Sequence, residues 1–136
     1  MVELTLQILE KSLFSWTTEH ALARKKQVTD VLTILDSQNG GFIVSAKKFP
    51  IIIGTYSHIT DSANLMIHYT HKRVSNRHAV IYNEENTIKI KDFGTKTGTI
   101  IERDKKLIQV TKQGTELQNK DIIILGAEVR ILALIS

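Results

Sequence analysis

The side chains most able to carry chemistry cluster in three short polar segments of the 136-residue chain. The segments are Ile53-Gly54-Thr55-Tyr56, Arg73-Val74-Ser75-Asn76-Arg77-His78-Ala79 and Asp92-Phe93-Gly94-Thr95-Lys96-Thr97-Gly98-Thr99. They hold hydroxyls, one imidazole and several cations, and each adjoins a predicted strand. The formal net charge of +4 favours an anionic partner, either a phosphorylated protein or a nucleic acid, without choosing between them.

Enzyme motifs are absent from the sequence. It contains no G-x-G-x-x-G, no G-x-x-x-x-G-K-[ST] and no G-x-S-x-G. Its carboxylates are scattered, and no pair stands out as a general acid and base. Because nothing supplies a nucleophile with its base or a cradle for a cofactor, we predict that the chain is not an enzyme and uses no cofactor.

Metal and redox chemistry have little support. The chain has no cysteine, which excludes disulfides, thiolate nucleophiles and cysteine-ligated zinc. His68 and His71 form an H-x-x-H pair, with His58 and His78 nearby in sequence. No acidic or fourth ligand stands at a matching spacing, so we predict no metal site.

Nucleic acid and membranes are also poor partners. The basic run Arg24-Lys25-Lys26 is short, and three charges are usually a solvated face. The four Phe, three Tyr and one Trp form no basic–aromatic stripe on which bases could stack, which argues against a nucleic-acid-binding barrel. No apolar run approaches the roughly 20 residues of a membrane span.

Short β segments separated by turn residues run from residue 28 to the end of the chain. Ile88 and Ile90 alternate with Lys89 and Lys91, which is typical of a strand with one wet face. The Asn39-Gly40 pair predicts a hairpin. The predicted strands are 28–36, 42–46, 50–54, 64–69, 78–83, 87–92, 99–103, 106–111, 121–125 and 128–134. The pattern predicts an all-β protein, an antiparallel sandwich or barrel.

Residues 1–27 fit two periods, so we treat them as an N-terminal extension of a domain spanning 28–136. Val2, Leu4, Leu6 and Ile8 alternate as in a strand, whereas Val2, Leu6, Leu9, Leu13 and Trp16 fall at helical spacing. We predict a helix over 2–14 and keep the strand as the alternative.

The three polar segments, together with Leu117-Gln118-Asn119-Lys120-Asp121-Ile122-Ile123-Ile124-Leu125-Gly126, resemble the motifs of a forkhead-associated (FHA) domain. The family pattern is I-G-R, S-x-x-H, D-x-[GS]-[ST]-x-N-G-T and L-x-x-G-D-x-I-x-x-G. The resemblance covers roughly residues 28–135, and four motifs in register are far more specific than any one. Arg73 before Ser75 and Asn76 after it resemble in particular the FHA domains of fungal checkpoint and meiotic kinases and of repair factors.

The resemblance implies an FHA/SMAD-like β-sandwich of ten or eleven strands, with loops at one end that bind phosphothreonine peptides. The implied phosphopeptide-binding residues are Thr55, Arg73, Ser75, Asn76, Arg77, Lys96 and Thr97, and the implied structural ones are Gly54, His78, Asp92, Gly98 and Thr99. A phosphothreonine brings nearly two negative charges and three strong acceptor oxygens. A loop hydroxyl and successive backbone N–H groups can satisfy them without burying a charge.

Three positions depart from the family pattern. Thr55 replaces the phosphate-binding arginine, Thr97 replaces the asparagine that holds the peptide backbone, and Lys120 replaces a turn glycine. Arg73, Arg77, Lys96 or His58 could supply the missing charge from another direction, a lysine only as a point charge. The Lys120 departure lies away from the binding loops.

Two functions remain open on these residues. The first is recognition of a phosphothreonine peptide in nuclear signalling, such as DNA damage, cell-cycle or meiotic control. The second is a degenerate FHA domain that binds a folded partner without phosphate, to which the apolar N-terminal segment could contribute. We expect an intracellular protein, nuclear or cytoplasmic, with the nucleus favoured. We also expect the chain to be the N-terminal domain of a larger protein.

Overall fold

The computed structural model describes residues 2–9, 31–36, 43–55, 63–67 and 72–136. The strands found there form two sheets. They are β1 Leu4–Ile8, β2 Leu32–Asp36, β3 Ile43–Ala46, β4 Ile51–Thr55, β5 Leu65–Ile67, β6 Ala79–Glu84, β7 Thr87–Asp92, β8 Thr99–Arg103, β9 Lys106–Gln109, β10 Thr115–Glu116, β11 Ile122–Leu125 and β12 Val129–Ile135. The predicted all-β sandwich is confirmed.

The larger sheet has the order β2-β3-β1-β12-β11-β8-β9, and the smaller has the order β10-β7-β6-β4-β5. Paired strands are antiparallel except β4 and β5, which run parallel. Alternate side chains of each strand point between the sheets, because successive residues of a strand face opposite sides. β7 shows the pattern: Ile88 and Ile90 are buried, while Lys89 and Lys91 lie on the outer face.

Strand β1 corrects the predicted helix over 2–14, which is wrong for the described residues 2–9. Leu4, Leu6 and Ile8 are buried at period two, and β1 is bonded to β12 on one side and β3 on the other. The sequence of this segment fits both a strand and a helix, and its pairing with a strand on each side selects the strand. The predicted boundary between residues 27 and 28 lies outside the described residues and stays a prediction.

The predicted strands from 28–36 to 128–134 each overlap an observed strand, with most ends differing by one to four residues. The two-residue strand β10 was not predicted. β2 and β3 pair antiparallel, as the hairpin at Asn39-Gly40 requires, although that turn lies outside the described residues. Within the described part of the chain, no helix is long and apolar enough to cross a membrane.

One end of the sandwich, which we call the far end, is held by an ion pair between a buried carboxylate and a partly exposed guanidinium. Arg103, the last residue of β8, donates from Nε to Asp121 Oδ1 at 2.8 Å and from Nη2 to Oδ2 at 2.7 Å. Asp121 is 1% exposed and also accepts the backbone N–H of Gln118. Through its hydrogen bonds, Asp121 raises the pKa of the Arg103 guanidinium above its ordinary value.

Candidate functional site

Two loops meet at the opposite end of the sandwich, which we call the loop end. The serine loop, Arg73–His78, leads into β6, and the threonine loop, Phe93–Gly98, joins β7 to β8. β4 also ends there, because Ile53 pairs with Ala79 and Ala79 pairs with Asp92. The sheet therefore brings together three segments that are far apart in sequence.

The end of β4 fixes the serine loop from below. The Thr55 N–H donates to the Ser75 carbonyl at 3.0 Å, and the His78 N–H donates to the Ile53 carbonyl at 2.9 Å. Gly54 lies between these two bonds, and a Cβ there would overlap the Asn76 carbonyl. Only glycine lets the loop backbone approach the strand so closely.

His78 is fully buried and joins the two loops. Its Nδ1 accepts the Ser75 N–H at 3.1 Å, and its Nε2 lies 2.8 Å from the Gly98 carbonyl. An atom that accepts an N–H carries no proton, and an atom facing a carbonyl must donate, so the ring is the neutral Nε2–H tautomer. This is the brace that the family resemblance implies for this histidine.

Asp92 organises the threonine loop. Its Oδ1 accepts the N–H groups of Gly94 and Thr95 at 2.6 and 2.7 Å, and its Oδ2 accepts the hydroxyls of Thr95 and Thr99 at 2.9 and 2.7 Å. Burial acts to raise the pKa of Asp92, but these hydrogen bonds outweigh burial and hold the pKa below its ordinary value. Gly98 closes the loop with a φ of +81°.

The backbone of Arg73 is held from two sides. The Thr97 hydroxyl donates to the Arg73 carbonyl at 2.6 Å, and the Arg73 N–H donates to Glu128 Oε2 at 3.3 Å. The Thr97 hydroxyl thus ties the two loops together. It stands where the FHA pattern has the side-chain amide of an asparagine. Glu128 was missed by sequence reasoning, since it belongs to the turn between β11 and β12.

The structure places Thr55, which the resemblance implies as a phosphopeptide contact, beneath the serine loop. It is 7% exposed, and its hydroxyl donates to Asn76 Oδ1 at 2.8 Å. Its side chain therefore supports the serine loop from within instead of reaching the rim. Asn76 itself is exposed, so the loop's outer surface stays polar.

The rim carries polar groups that no other described residue satisfies. Ser75, Arg73 and Lys96 are exposed, and the Ser75 hydroxyl, the Arg73 guanidinium and the Lys96 ammonium have no described partner. Arg77 instead lies over the Phe93 ring, 4.9 Å from its centroid, and so links the two loops by a cation–π contact.

Lys112 is a further cation that sequence reasoning missed. Its Nζ lies 3.3 Å from the position that a Cβ on Gly94 would occupy. The Asp92 N–H donates to the Thr111 carbonyl, which brings this segment beside the threonine loop. The only signal for Lys112 is this tertiary contact, since no motif contains it.

Metal ligation gains no support from the described residues, where no group of three or more His, Asp or Glu side chains could hold an ion. His58, His68 and His71 lie outside them. Both ring nitrogens of His78 are committed to contacts with the two loops.

Comparison with known proteins gives a consistent family. The profile of the FHA domain matches residues 51–126, more than half of the chain. The probable E3 ubiquitin-protein ligase dma1 of Schizosaccharomyces pombe is 35% identical over 85 residues, which cover 61% of this chain and 32% of that protein. The chain thus spans about a third of the length of this relative.

Solved structures share the fold. The yeast Pml1 splicing factor aligns with a TM-score of 0.62 at 15% identity, covering 99% of this chain and 80% of that one. A structure from a study of phosphothreonine-dependent FHA domain interactions aligns with a TM-score of 0.51 at 20% identity, covering 76% of this chain and 93% of that one.

Proposed function

Since this chain belongs to the FHA domain family, a family of non-catalytic interaction modules, we propose that it recognises phosphothreonine peptides at its loop end. The observation that carries the proposal is a set of exposed rim groups without a partner among the described residues: the Ser75 hydroxyl with the Arg73 and Lys96 cations. A similar structure comes from work on phosphothreonine-dependent FHA interactions, which supports the same ligand for this chain.

The loops suit a dianion because their framework is satisfied without these rim groups. His78 and Asp92 are bonded to backbone and hydroxyl groups, so the buried Asp92 carboxylate does not compete for the rim cations. In the proposed complex the Ser75 hydroxyl donates to a phosphate oxygen, and the Arg73 guanidinium supplies a charge-assisted contact. Lys96 and Lys112 add positive charge along the threonine loop.

The buried Thr55 sets the expected strength of this complex. The family's arginine at this position would add a hydrogen bond to a charged group, worth about 1.5–3 kcal/mol. Without that arginine, binding should be about ten- to a hundredfold weaker than in a domain that has arginine at position 55 as well as at position 73. We therefore expect a weaker phosphopeptide complex than in such a domain.

The cellular setting is a second part of the proposal. The order Arg73, Ser75, Asn76 resembles the loops of fungal checkpoint kinases, which supports a role in nuclear signalling. The partner is then a protein phosphorylated on threonine.

The test is a titration of a degenerate phosphothreonine peptide library and its unphosphorylated counterpart, at low and physiological salt. We expect saturable binding that requires phosphate and weakens with salt. Ser75→Ala should weaken binding by about ten- to a hundredfold because it removes one bond to a charged group. Ser45→Ala is the matched control and should bind as the wild type does. Ser45 lies on β3, outside the serine and threonine loops.

Phosphate-independent association is the second candidate, favoured by the burial of Thr55. It predicts no difference between the two libraries and no effect of Ser75→Ala. Equal binding of phosphopeptide by wild type and Ser75→Ala would contradict the proposed site. Failure of both libraries to bind a folded sample would contradict the proposed function.

A further inference from the structure

The outer face of the larger sheet is apolar around β11, where an exposed antiparallel sheet is normally polar. Strand β11 is apolar at each of its positions, Ile122 to Leu125, so both of its faces are apolar. Strands covered on both sides show such continuous runs, whereas strands with a wet face alternate, as β7 does. The sequence of β11 is thus typical of a strand whose outer face is also covered.

Neighbouring strands extend this surface, which we call the outer patch. Its apolar members are partly or largely exposed: Ile100, Leu107, Ile122, Ile124, Leu132 and Leu134. Leu107 is 66% exposed and Leu134 is 37% exposed. The outer face of the smaller sheet differs, because Lys89 pairs there with Glu84 and Lys91 lies over the Tyr82 ring.

Strand register arranges the centre of the outer patch as four corners around β11. Arg130 on β12 and Ile100 on β8 lie level with Ile124. Leu132 on β12 and Glu102 on β8 lie level with Ile122. One diagonal therefore joins opposite charges, and the other joins two apolar side chains. The charged diagonal closes across β11, with Arg130 Nη2 3.6 Å from Glu102 Oε2.

We propose that the outer patch is a self-association surface, through which two copies of this chain pack face to face about a two-fold axis. An axis along the Ile100–Leu132 diagonal places Arg130 of each copy opposite Glu102 of the other. Ile100 and Leu132 then meet their own counterparts near the axis. A two-fold interface requires such self-complementarity, because each surface must match itself.

Charge and exposure favour a second copy over an unrelated partner. The patch carries one cation and one anion, so it has no net charge to select an acidic or basic protein. Arg130 and Glu102 are 45% and 35% exposed, so they can exchange partners between copies at little desolvation cost. None of these residues belongs to the serine or threonine loop, so the proposal is independent of phosphopeptide binding.

The test uses charge reversal and mixing, followed by sedimentation velocity over a wide concentration range. The wild type should dimerise reversibly. Arg130→Glu and Glu102→Arg should each raise the dimer dissociation constant by about tenfold or more, since symmetry counts each change twice. An equimolar mixture of these two variants should recover the dimer, because an all-negative patch then faces an all-positive one.

The mixture separates pairing between copies from the pair within one chain, because neither single variant keeps its own pair; two further controls complete the test. The double variant Arg130→Glu/Glu102→Arg restores both pairings and should dimerise as the wild type does. Lys89→Glu, a reversal on the outer face of the smaller sheet, should leave the dissociation constant unchanged. A wild type that stays monomeric at millimolar concentration would overturn the proposal. So would a dimer that neither single reversal weakens, or a mixture that does not recover it.

Discussion

The two ends of the sandwich each bury one carboxylate but satisfy it with different donors. At the far end, Asp121 takes two hydrogen bonds from the Arg103 guanidinium. At the loop end, Asp92 takes its bonds from two backbone N–H groups and from the hydroxyls of Thr95 and Thr99. The far end uses a cation to hold the fold, whereas the loop end holds its framework with neutral donors.

This difference explains how the loop end keeps its cations available. A guanidinium bonded to a buried carboxylate is fixed in place and has its charge partly neutralised, so it attracts a ligand's phosphate less strongly. Because Asp92 and His78 are satisfied by neutral groups, Arg73 and Lys96 remain unpaired among the described residues and exposed on the rim. Changes at the far end should therefore alter stability alone. Changes at the loop end should alter stability and phosphopeptide binding together.

The largest expected effect is at the far end. Arg103→Met removes the partner of a carboxylate that is 1% exposed, so it should lower the free energy of unfolding by about 3–5 kcal/mol. Chemical denaturation measures this loss. Phosphopeptide affinity, measured on the folded fraction, should not change.

Lys89→Met, on the outer face of the smaller sheet, is the control for that experiment. It removes an ammonium whose ion pair with Glu84 is much more exposed, and such pairs contribute about 0–1 kcal/mol. If Arg103→Met weakened peptide binding as much as it weakened the fold, the two ends would not be independent.

The second effect is at the loop end. Asp92→Ala leaves the N–H groups of Gly94 and Thr95 and the buried hydroxyl of Thr99 without their acceptor, which should cost about 2–4 kcal/mol of unfolding free energy. The threonine loop also loses its brace, so phosphopeptide affinity should fall as well. Denaturation and titration of the same sample test whether the two losses occur together, as the comparison requires.

A pH series isolates the charge on Asp92. Because its pKa is lower in the folded protein than the ordinary 3.8, ionised Asp92 stabilises the fold above that pH. This contribution is lost as the pH falls below 3.8 and through the folded-state pKa. The destabilisation caused by Asp92→Asn should therefore be full near neutral pH and shrink in acid. A difference between wild type and Asp92→Asn that stays constant to pH 3 would contradict the lowered pKa.

Local patterns were sufficient for most of the fold. The alternation in β7, and the turn residues between segments, indicate strands without any knowledge of their neighbours. β1 is different, because its apolar residues fit both periods and only its pairing with β3 and β12 decides. β10 has two residues, too few for any period to show, and it exists through its pairing with β7.

The features of the site also divide into those that local motifs predict and those that depend on tertiary contacts. The motifs located the two loops because their residues are adjacent in sequence. They could not show that Thr55 is buried under Asn76, which depends on how closely the serine loop approaches Gly54. Nor could they find Glu128, which bonds the Arg73 backbone from 55 residues away. Local motifs predict which segments form the site, and tertiary contacts decide which side chains face outward.

The smallest expected effect returns to the far end and to the third departure from the family pattern. Lys120 has a φ of +73°, a conformation that costs a residue with a Cβ about 1–2 kcal/mol. The turn is held in place, since the Lys120 N–H donates to Ala133 and Asn119 accepts the Ile135 N–H. Lys120→Gly should therefore raise the unfolding free energy by up to about 1 kcal/mol after glycine's entropic cost, with peptide affinity unchanged. Lys120→Ala removes the same charge but keeps the Cβ, so it should not stabilise. Equal gains in unfolding free energy from both variants would mean that the lost charge, and not the positive φ of Lys120, causes the effect.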